Sequence, residues 1–357
     1  VSGTARLAQK LESSVKSGDR PTIKVVAERA QVAISTVSRV LNGGVASTSA
    51  RSRVQLAIQE LGYAPSVAAQ SLVTRRTGCV GLAASSSQSS WFSQILAGVE
   101  EALLPSRKSV LLASMMHGGQ YDPTAVSAWI REGRVDGLVF VRFARRNRPL
   151  FAAAVRAALP IVLIAPDVGA PANFIARCDN VEAGRLVARH LADLGHRQIS
   201  FAGGPEDSLD TRNRLKGLVD ALGERGVRVR ARHVWFGPSY SADAGIKYAR
   251  RFLAEREANR PTAVVLGNDA MALGFMRTLL KEGIEVPHHV SVVGFDGIPE
   301  GELCWPGLTT VAQPMRRMAI RACQALLECI PDRHRHRETA IEYGVELLVR
   351  ESTGAPR

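Results

Sequence analysis

A chain of 357 residues is too long for one ordinary domain and suggests two or three. Hydrophobic residues make up 46% of it, ample for globular cores, whereas aromatics are only 5%, so an aromatic beside a pocket carries weight. A formal charge of +13 points to a polyanionic partner, and no apolar run is long enough for a membrane-spanning helix.

The first twenty residues, "VSGTARLAQKLESSVKSGDR", form a polar extension without an apolar signal core, which argues against export and for a cytoplasmic location. The cysteines (Cys79, Cys178, Cys304, Cys323, Cys329) lie far apart with no CxxC pair, as ordinary reduced thiols do. His334 and His336 in "RHRHR" have no second ligand cluster and read as a solvated basic loop. No metal and no cofactor are expected.

Residues 21–65 read as three short helices. In "PTIKVVAERA", Thr22 is a candidate N-cap, and Ile23, Val26, Ala27 and Ala30 recur at helical spacing. "QVA" breaks that pattern, and "ISTVSRVL" begins a second helix that Asn42-Gly43-Gly44 stops. Val37, Val40 and Leu41 make one apolar face, while Ser35, Thr36, Ser38 and Arg39 occupy the other with no acid among them. Ser47 can cap a third helix carrying Val54, Ile58 and Leu61, closed by Gly62. Two helices joined by a tight turn, with a third behind, make a helix-turn-helix headpiece. Between Arg20 and Arg76 the only acids are Glu28 and Glu60. A solvated face normally mixes both signs, so this one is read as facing phosphates.

The stretches "TIKVVAERAQVAISTVSRVLNGG" and "AIQELGYAPSVAAQSLVTRRTGCVGL" closely resemble the lactose-repressor (LacI) family of bacterial transcription regulators, and the match runs from Thr22 to about Thr353. The resemblance implies that Thr22, Ile34, Ser35, Thr36, Ser38, Arg39 and Asn42 contact DNA. Three positions depart from it: Val25 stands where the family usually has Asp, Gln31 replaces the turn Gly, and Ala33 replaces the Ser that caps the recognition helix. A Gln where φ > 0 is favoured costs about 1 kcal/mol, and a lost cap about as much.

Residues 66–78, "SVAAQSLVTRRTG", are too short and Ala-rich to hold a helix alone. In the resemblance they are a hinge helix that folds on DNA beside its dimer mate. Leu72 is then the wedge between base pairs, and Ala69 the point of close helix approach.

From Cys79 to the end, residues 79–357, apolar strand-like runs alternate with amphipathic helices: "CVGLAAS", "SVLLAS", "VDGLVFV", "PIVLIA", "FIARC", "QISFAGG", "HVWFG", "AVVLGN" and "VSVVGFD". This is a doubly wound α/β pattern repeated twice, which puts ligands at the carboxyl ends of the strands. The expected fold is therefore an all-α headpiece plus a periplasmic-binding-protein-like pair of α/β subdomains facing across a cleft.

Effector ligands are expected at those strand ends: Ser85 and Ser89, then Trp91 and Phe92 at a helix start. By resemblance Arg214 clamps the ligand, Tyr240 stacks on it, and Asn268 and Asp296 hydrogen-bond it. Carboxylate, amide and guanidinium suit vicinal hydroxyls, and an aromatic face suits sugar C–H groups. Asn268 has a second reading as the cap of the helix that follows it.

After "PIVLI" the family commonly has an Asp, whereas this chain has Ala165 and Pro166. With Arg142 just past "GLVFV", the lost acid and gained base favour an anionic effector such as a sugar acid or phosphate.

No GxGxxG turn, P-loop or GxSxG elbow is present, and no nucleophile–base or metal constellation can be assembled, so an enzyme lacks support. A solute-binding protein of the periplasmic type would have an export signal and no headpiece. The expected partners are a pseudo-palindromic double-stranded operator, a sugar or sugar-derived effector and a second copy of the chain. The end at "ESTGAPR", with no C-terminal heptad helix, favours a dimer over a tetramer.

Overall fold

The computed structural model describes residues 21–41, 43–64, 76–85, 89–117, 120–332 and 339–357. Asn42, Ala69, Leu72, His334 and His336 lie outside the described residues. The chain divides into two compact units, Val1–Thr77 and Gly78–Arg357.

In the first unit, α1 (Ile23–Ala30), α2 (Ile34–Leu41) and α3 (Thr48–Leu61) follow the apolar spacing. Val26, Ala27, Ala30, Val37, Val40, Val54 and Ala57 close into one small core. Gln31 ends α1 in the left-handed conformation, φ 52° and ψ 49°, and its N–H reaches the Glu28 carbonyl at 3.2 Å. That is the conformation in which a glycine would be unstrained. Ser47 caps α3 by accepting the Ala50 N–H at 3.3 Å, and Gly62 closes it at φ 58°. Thr22 stands at the α1 cap position with extended backbone, but its hydroxyl makes no capping bond. The expected Thr22 cap is therefore corrected to a cap of backbone alone.

The second unit holds two six-stranded sheets. The first runs β13-β7-β6-β5-β1-β2, with β1 Cys79–Ala84, β2 Ser109–Ser114, β5 Gly137–Val141, β6 Ile161–Ile164, β7 Phe174–Cys178 and β13 Thr339–Tyr343. The second runs β14-β12-β11-β10-β8-β9, with β8 Ile199–Gly203, β9 Val234–Phe236, β10 Ala263–Leu266, β11 Ser291–Asp296, β12 Thr309–Ala312 and β14 Glu346–Leu348. All pairings within these two sheets are parallel except β12 with β14. A short antiparallel ribbon, β3 (Met116–His117) with β4 (Gln120–Tyr121), stands apart.

Central strands such as β5, β6 and β10 are buried along their whole length, which is why they read as unbroken apolar runs. The chain passes between the sheets after β7, after β12 and after β13. On the second passage α12 (Met315–Cys329) returns to the first sheet and inserts Met315, Met318, Ala322 and Leu326 into its core.

One close approach matters for the site. Gly184 on α7 (Asn180–Asp193) and Gly217 on α8 (Leu209–Gly223) face each other's helix backbone. A Cβ at Gly184 would strike the Arg214 carbonyl, and one at Gly217 the Val181 carbonyl. The two helices therefore pack with nothing between them, and this brings Arg214 on α8 against Asn180 on α7.

Candidate functional site

Two sites were expected, one on each unit. In the first unit α2 turns Val37 and Val40 inward and leaves Ser35 and Arg39 exposed. Thr36 and Ser38 are half-buried, Ile34 is 45% exposed and Thr22 is exposed. The acids of this surface are already engaged or few: Glu60 pairs with Arg29 at 2.6 Å, and Glu28 is the other acid among the described headpiece residues. Arg51 donates to the Gly44 carbonyl at 2.9 Å and so ties α3 to the end of α2.

In the second unit the cleft lies where the carboxyl ends of both sheets meet. Its polar side chains form one connected network. From the first subdomain, Arg142 follows β5 in a left-handed turn, φ 55°, held by its N–H to the Ile164 carbonyl at 3.0 Å. Ser85, after β1, donates to the Arg142 carbonyl at 3.1 Å. The guanidinium reaches across to Asp210 Oδ2 at 3.1 Å and also meets Asp167 Oδ1 at 3.2 Å. Ser208 donates to the same Asp167 oxygen at 3.0 Å. Tyr240 accepts or donates at Ser208 (3.0 Å) and Thr211 (2.6 Å), and its ring lies 4.8 Å below the Arg142 carbon. Trp91 stands 5.8 Å away on another side.

The network continues through Asn180, which donates to Asp210 Oδ1 at 3.0 Å and accepts Arg214 Nε at 2.7 Å. Arg214 is 2% exposed, lies over the Phe295 ring at 4.7 Å, donates to the Gly267 carbonyl at 2.5 Å and approaches Asp296 at 4.0 Å. Asp296 ends β11 at φ 123°, a strained value for an Asp. It accepts from Asn268 Nδ2 at 3.3 Å and from Gln313 Nε2 at 3.1 Å. Asn268 also caps α10 (Asp269–Lys281) by accepting the Met271 N–H at 3.0 Å, so its reading as a helix cap holds while its amide nitrogen stays directed at Asp296.

Burial sets the protonation of this network. It raises the Asp296 carboxyl above the ordinary carboxylate range, against the opposing pull of Arg214 and Arg142. Burial raises Asp167 too, with Arg142 pulling the other way. For Arg142, burial alone would disfavour the charge, but the Asp167 and Asp210 carboxylates reverse the sign and hold it as a cation.

Two expectations need correction. Phe92 is 2% exposed and belongs to the core under the first sheet, because the helix that starts at Ser90 turns that position inward. Trp91, one residue earlier, is half-buried against the same core, with the Arg142 guanidinium carbon 5.8 Å from its ring. Arg142 does not add free positive charge, because it is neutralised by carboxylates from both subdomains. The lost acid at Ala165 is made up two residues later by Asp167, so the argument for an anionic effector loses its basis.

Ser89 spends its hydroxyl on the cap of the helix Ser90–Leu103, accepting the Phe92 N–H at 3.2 Å. Sequence reasoning missed Asp167, Asn180, Ser208, Asp210 and Gln313. Their signal was position: Gln313 directly follows β12, Asn180 and Asp210 stand in the first turn of a helix, Ser208 is a helix N-cap, and Asp167 lies in the loop that leaves β6. Among the described residues no cluster of three metal-ligating side chains forms, and no helix is long and apolar enough to cross a membrane.

Comparison with known proteins agrees with this geometry. Residues 22–66 match the bacterial regulatory proteins of the lacI family, and residues 188–353 a periplasmic binding protein-like domain. The HTH-type transcriptional repressor PurR of Photobacterium profundum is 31% identical over 334 residues, covering 93% of this chain and 98% of the relative. PurR of Escherichia coli O139:H28 is 32% identical over 335 residues, covering 93% and 96%. Among solved structures, the lac repressor dimer bound to operator and the anti-inducer ONPF superposes with TM-score 0.79 at 28% identity, covering 94% of this chain and all (100%) of that one. The CelR–cellobiose complex superposes with TM-score 0.68 at 30% identity, covering 93% and 100%.

Proposed function

The chain belongs to the lacI family of bacterial regulatory proteins, and on that premise we propose how its two units divide the work of a DNA-binding transcriptional repressor under the control of a small molecule. The headpiece reads an operator through α2, with Ser35, Thr36, Ser38 and Arg39 meeting base edges and phosphates, and Asn42 of the sequence motif joining them in contacting DNA. Thr22 and Ile34 flank them. Ala69 and Leu72 act in the minor groove. A second copy of the chain reads the other half-site, as in the lac repressor dimer bound to operator. The observation that carries this reading is the asymmetry of α2: Val37 and Val40 anchor it in the core while Ser35 and Arg39 are left at the surface.

The effector binds in the cleft against Arg214, Asp296, Asn268 and Tyr240, with Trp91, Ser85 and Ser89 at its rim. Two guanidinium groups and three carboxylates share that space, so it carries no surplus of positive charge. A neutral polyhydroxylated molecule, a sugar or sugar derivative, fits such donors and acceptors. CelR is a relative whose solved complex holds cellobiose. A sugar acid or sugar phosphate would bring a charge the network leaves unmatched.

The test has two arms on the full chain. Electrophoretic shifts with genomic fragments should find salt-sensitive binding to a pseudo-palindrome; affinity indifferent to salt would reject the headpiece reading. Thermal unfolding with neutral sugars, sugar acids and sugar phosphates should single out a neutral sugar. At a hundredfold excess over Kd, binding adds about 2.7 kcal/mol. A response confined to the acids or phosphates would reject the neutral class.

A further inference from the structure

Arg142 is the side chain that a neutral-sugar cleft does not call for. Its guanidinium meets Asp167 at 3.2 Å, Asp210 at 3.1 Å and Ser208 at 3.4 Å. Aromatic rings stand by it at 4.8 Å (Tyr240) and 5.8 Å (Trp91). Carboxylates set to receive a planar fork, together with aromatic faces, are the means by which proteins hold an organic cation.

The backbone is shaped for this placement. Arg142 takes φ 55°, pinned by the Ser85 hydroxyl and the Ile164 carbonyl. A side chain leaving the end of a parallel strand is thereby turned into the cleft. The partners also come from both sides: Asp167 and Trp91 from the first subdomain, Ser208, Asp210 and Tyr240 from the second.

We propose that Arg142 is a tethered ligand: its guanidinium fills a cation box made by Asp167, Ser208, Asp210 and Tyr240, with Trp91 beside it, and so clasps the two α/β subdomains together. The inference rests on reading this cleft as the effector site. A small molecule entering this half of the cleft competes with a guanidinium the protein itself supplies, and the box accepts a guanidinium-type cation once Arg142 is removed. Ser90 also donates to Glu300 across the subdomains, so the clasp is not the sole link and its loss should loosen the unit without unfolding it.

Chemical rescue on the full chain tests this. Arg142→Ala should melt several degrees below the parent, and methylguanidinium at millimolar concentration should restore the loss saturably, against sodium chloride of equal ionic strength. The parent should not respond, and neither should Arg142→Ala combined with Asp210→Asn. A variant that melts with the parent, shows no saturable rescue, or shifts no more than the parent and the double variant do would overturn the proposal.

If Arg142→Ala does not fold, Arg142→Lys and Asp210→Asn keep the question open to measurement. A double variant losing no more than the worse single supports the clasp, and additive losses overturn it. The sugar panel separates the two readings. Rescue without any sugar response leaves the box and removes the sugar; a sugar response without rescue does the reverse.

Discussion

The headpiece helix and the cleft are both polar surfaces, but they hold their polar groups in opposite ways. On α2, Ser35 and Arg39 project from a helix anchored by Val37 and Val40. In the cleft, Asp167, Arg142, Asp210, Asn180 and Arg214 bond one to the next, and Arg214 ends the series 4.0 Å from Asp296. The difference follows from the partners. DNA brings its own dense array of phosphates and base edges, so the surface that meets it gains by leaving donors in water until contact. A small molecule must be gripped by groups already aimed, and buried groups stay aimed only when each has a partner. Substitutions in the cleft should therefore cost stability as well as binding, whereas those on α2 should cost binding alone.

The largest test of that contrast is Arg214→Ala. Arg214 is 2% exposed and is bonded to Asn180 and Gly267 beside Asp296. Removing one partner of a buried charge pair typically costs about 3–5 kcal/mol. Urea unfolding of the full chain should show that loss in the transition of the large unit, with the headpiece transition unmoved and the effector response abolished. A loss below about 1 kcal/mol would break the comparison, since Asp296 and Asn180 would then have found other partners.

Next in size is Arg39→Ala, which should leave both unfolding transitions in place. If Arg39 reads a base, gel shifts on operators altered one position at a time should show a loss of about 1–3 kcal/mol confined to one position in each half-site. An equal loss on every sequence would make Arg39 a phosphate contact instead. Any drop in thermal stability alongside it would show that α2 depends on its outer face.

The same contrast explains what could be read from the sequence. The nine apolar runs all appear as strands. The central ones, such as β5, β6, β8 and β10, are buried on both faces and so leave an uninterrupted apolar signature, while β2 and β9 stand at sheet edges and are only partly buried. β12, "TTVA", escaped notice because Thr309 and Thr310 are buried as hydrogen-bonded polar groups. β13, "TAIEY", lies at a sheet edge with its residues largely exposed and so carries no such run. In the cleft, family resemblance supplied Arg214, Tyr240, Asn268 and Asp296. Asp167, Asn180 and Asp210 belong to the chain's own pairing of charges, which only the folded geometry brings together. Phe92 failed for a simpler reason: adjacent helical residues face different directions, and the inward one joined the core.

The pH dependence of effector binding comes next. Burial holds the Asp296 carboxyl above its ordinary value before effector arrives. A hydroxyl donating to ionised Asp296 must then displace a proton at pH values below that raised one. Affinity should fall as pH is lowered from neutral, by at most tenfold per unit for one proton, or about 1.4 kcal/mol. Calorimetry in buffers of different ionisation enthalpy should count the proton.

The stability sign is the reverse. The folded acid keeps a proton that the unfolded chain gives up, so its contribution is fully present below the unfolded carboxylate value and is lost as pH rises through the folded one. Burial holds His190, His196 and His233 below their ordinary value, and those contributions fall away as pH drops below the unfolded histidine value. Asp296→Asn removes this carboxyl together with its push on the buried Asp269, so the difference from the parent reports the pair; a variant with the parent's pH profile in both measurements would remove Asp296 from the site.

The smallest expected effect lies in the headpiece turn and asks whether the DNA-reading unit carries strain of its own. Gln31 sits at φ 52° and ψ 49°, where a side chain with a Cβ is disfavoured by roughly 1–2 kcal/mol relative to the right-handed region. Glycine has no such penalty but gives up more freedom on folding, by about 0.5–1 kcal/mol. The two nearly cancel, leaving Gln31→Gly a net gain on the order of 0.5 kcal/mol. Gln31→Ala keeps the Cβ and should gain nothing, which separates relief of the backbone from loss of the amide side chain. Hydrogen exchange of the α1 and α2 amides in the full chain reads the headpiece directly, and Gln31→Gly should slow it about twofold. Exchange equally slowed in the alanine variant would place the strain in the side chain. Unchanged exchange in the glycine variant would mean that the turn is already relaxed, and that backbone strain belongs to the cleft, where Asp296 sits at φ 123°, and not to the headpiece.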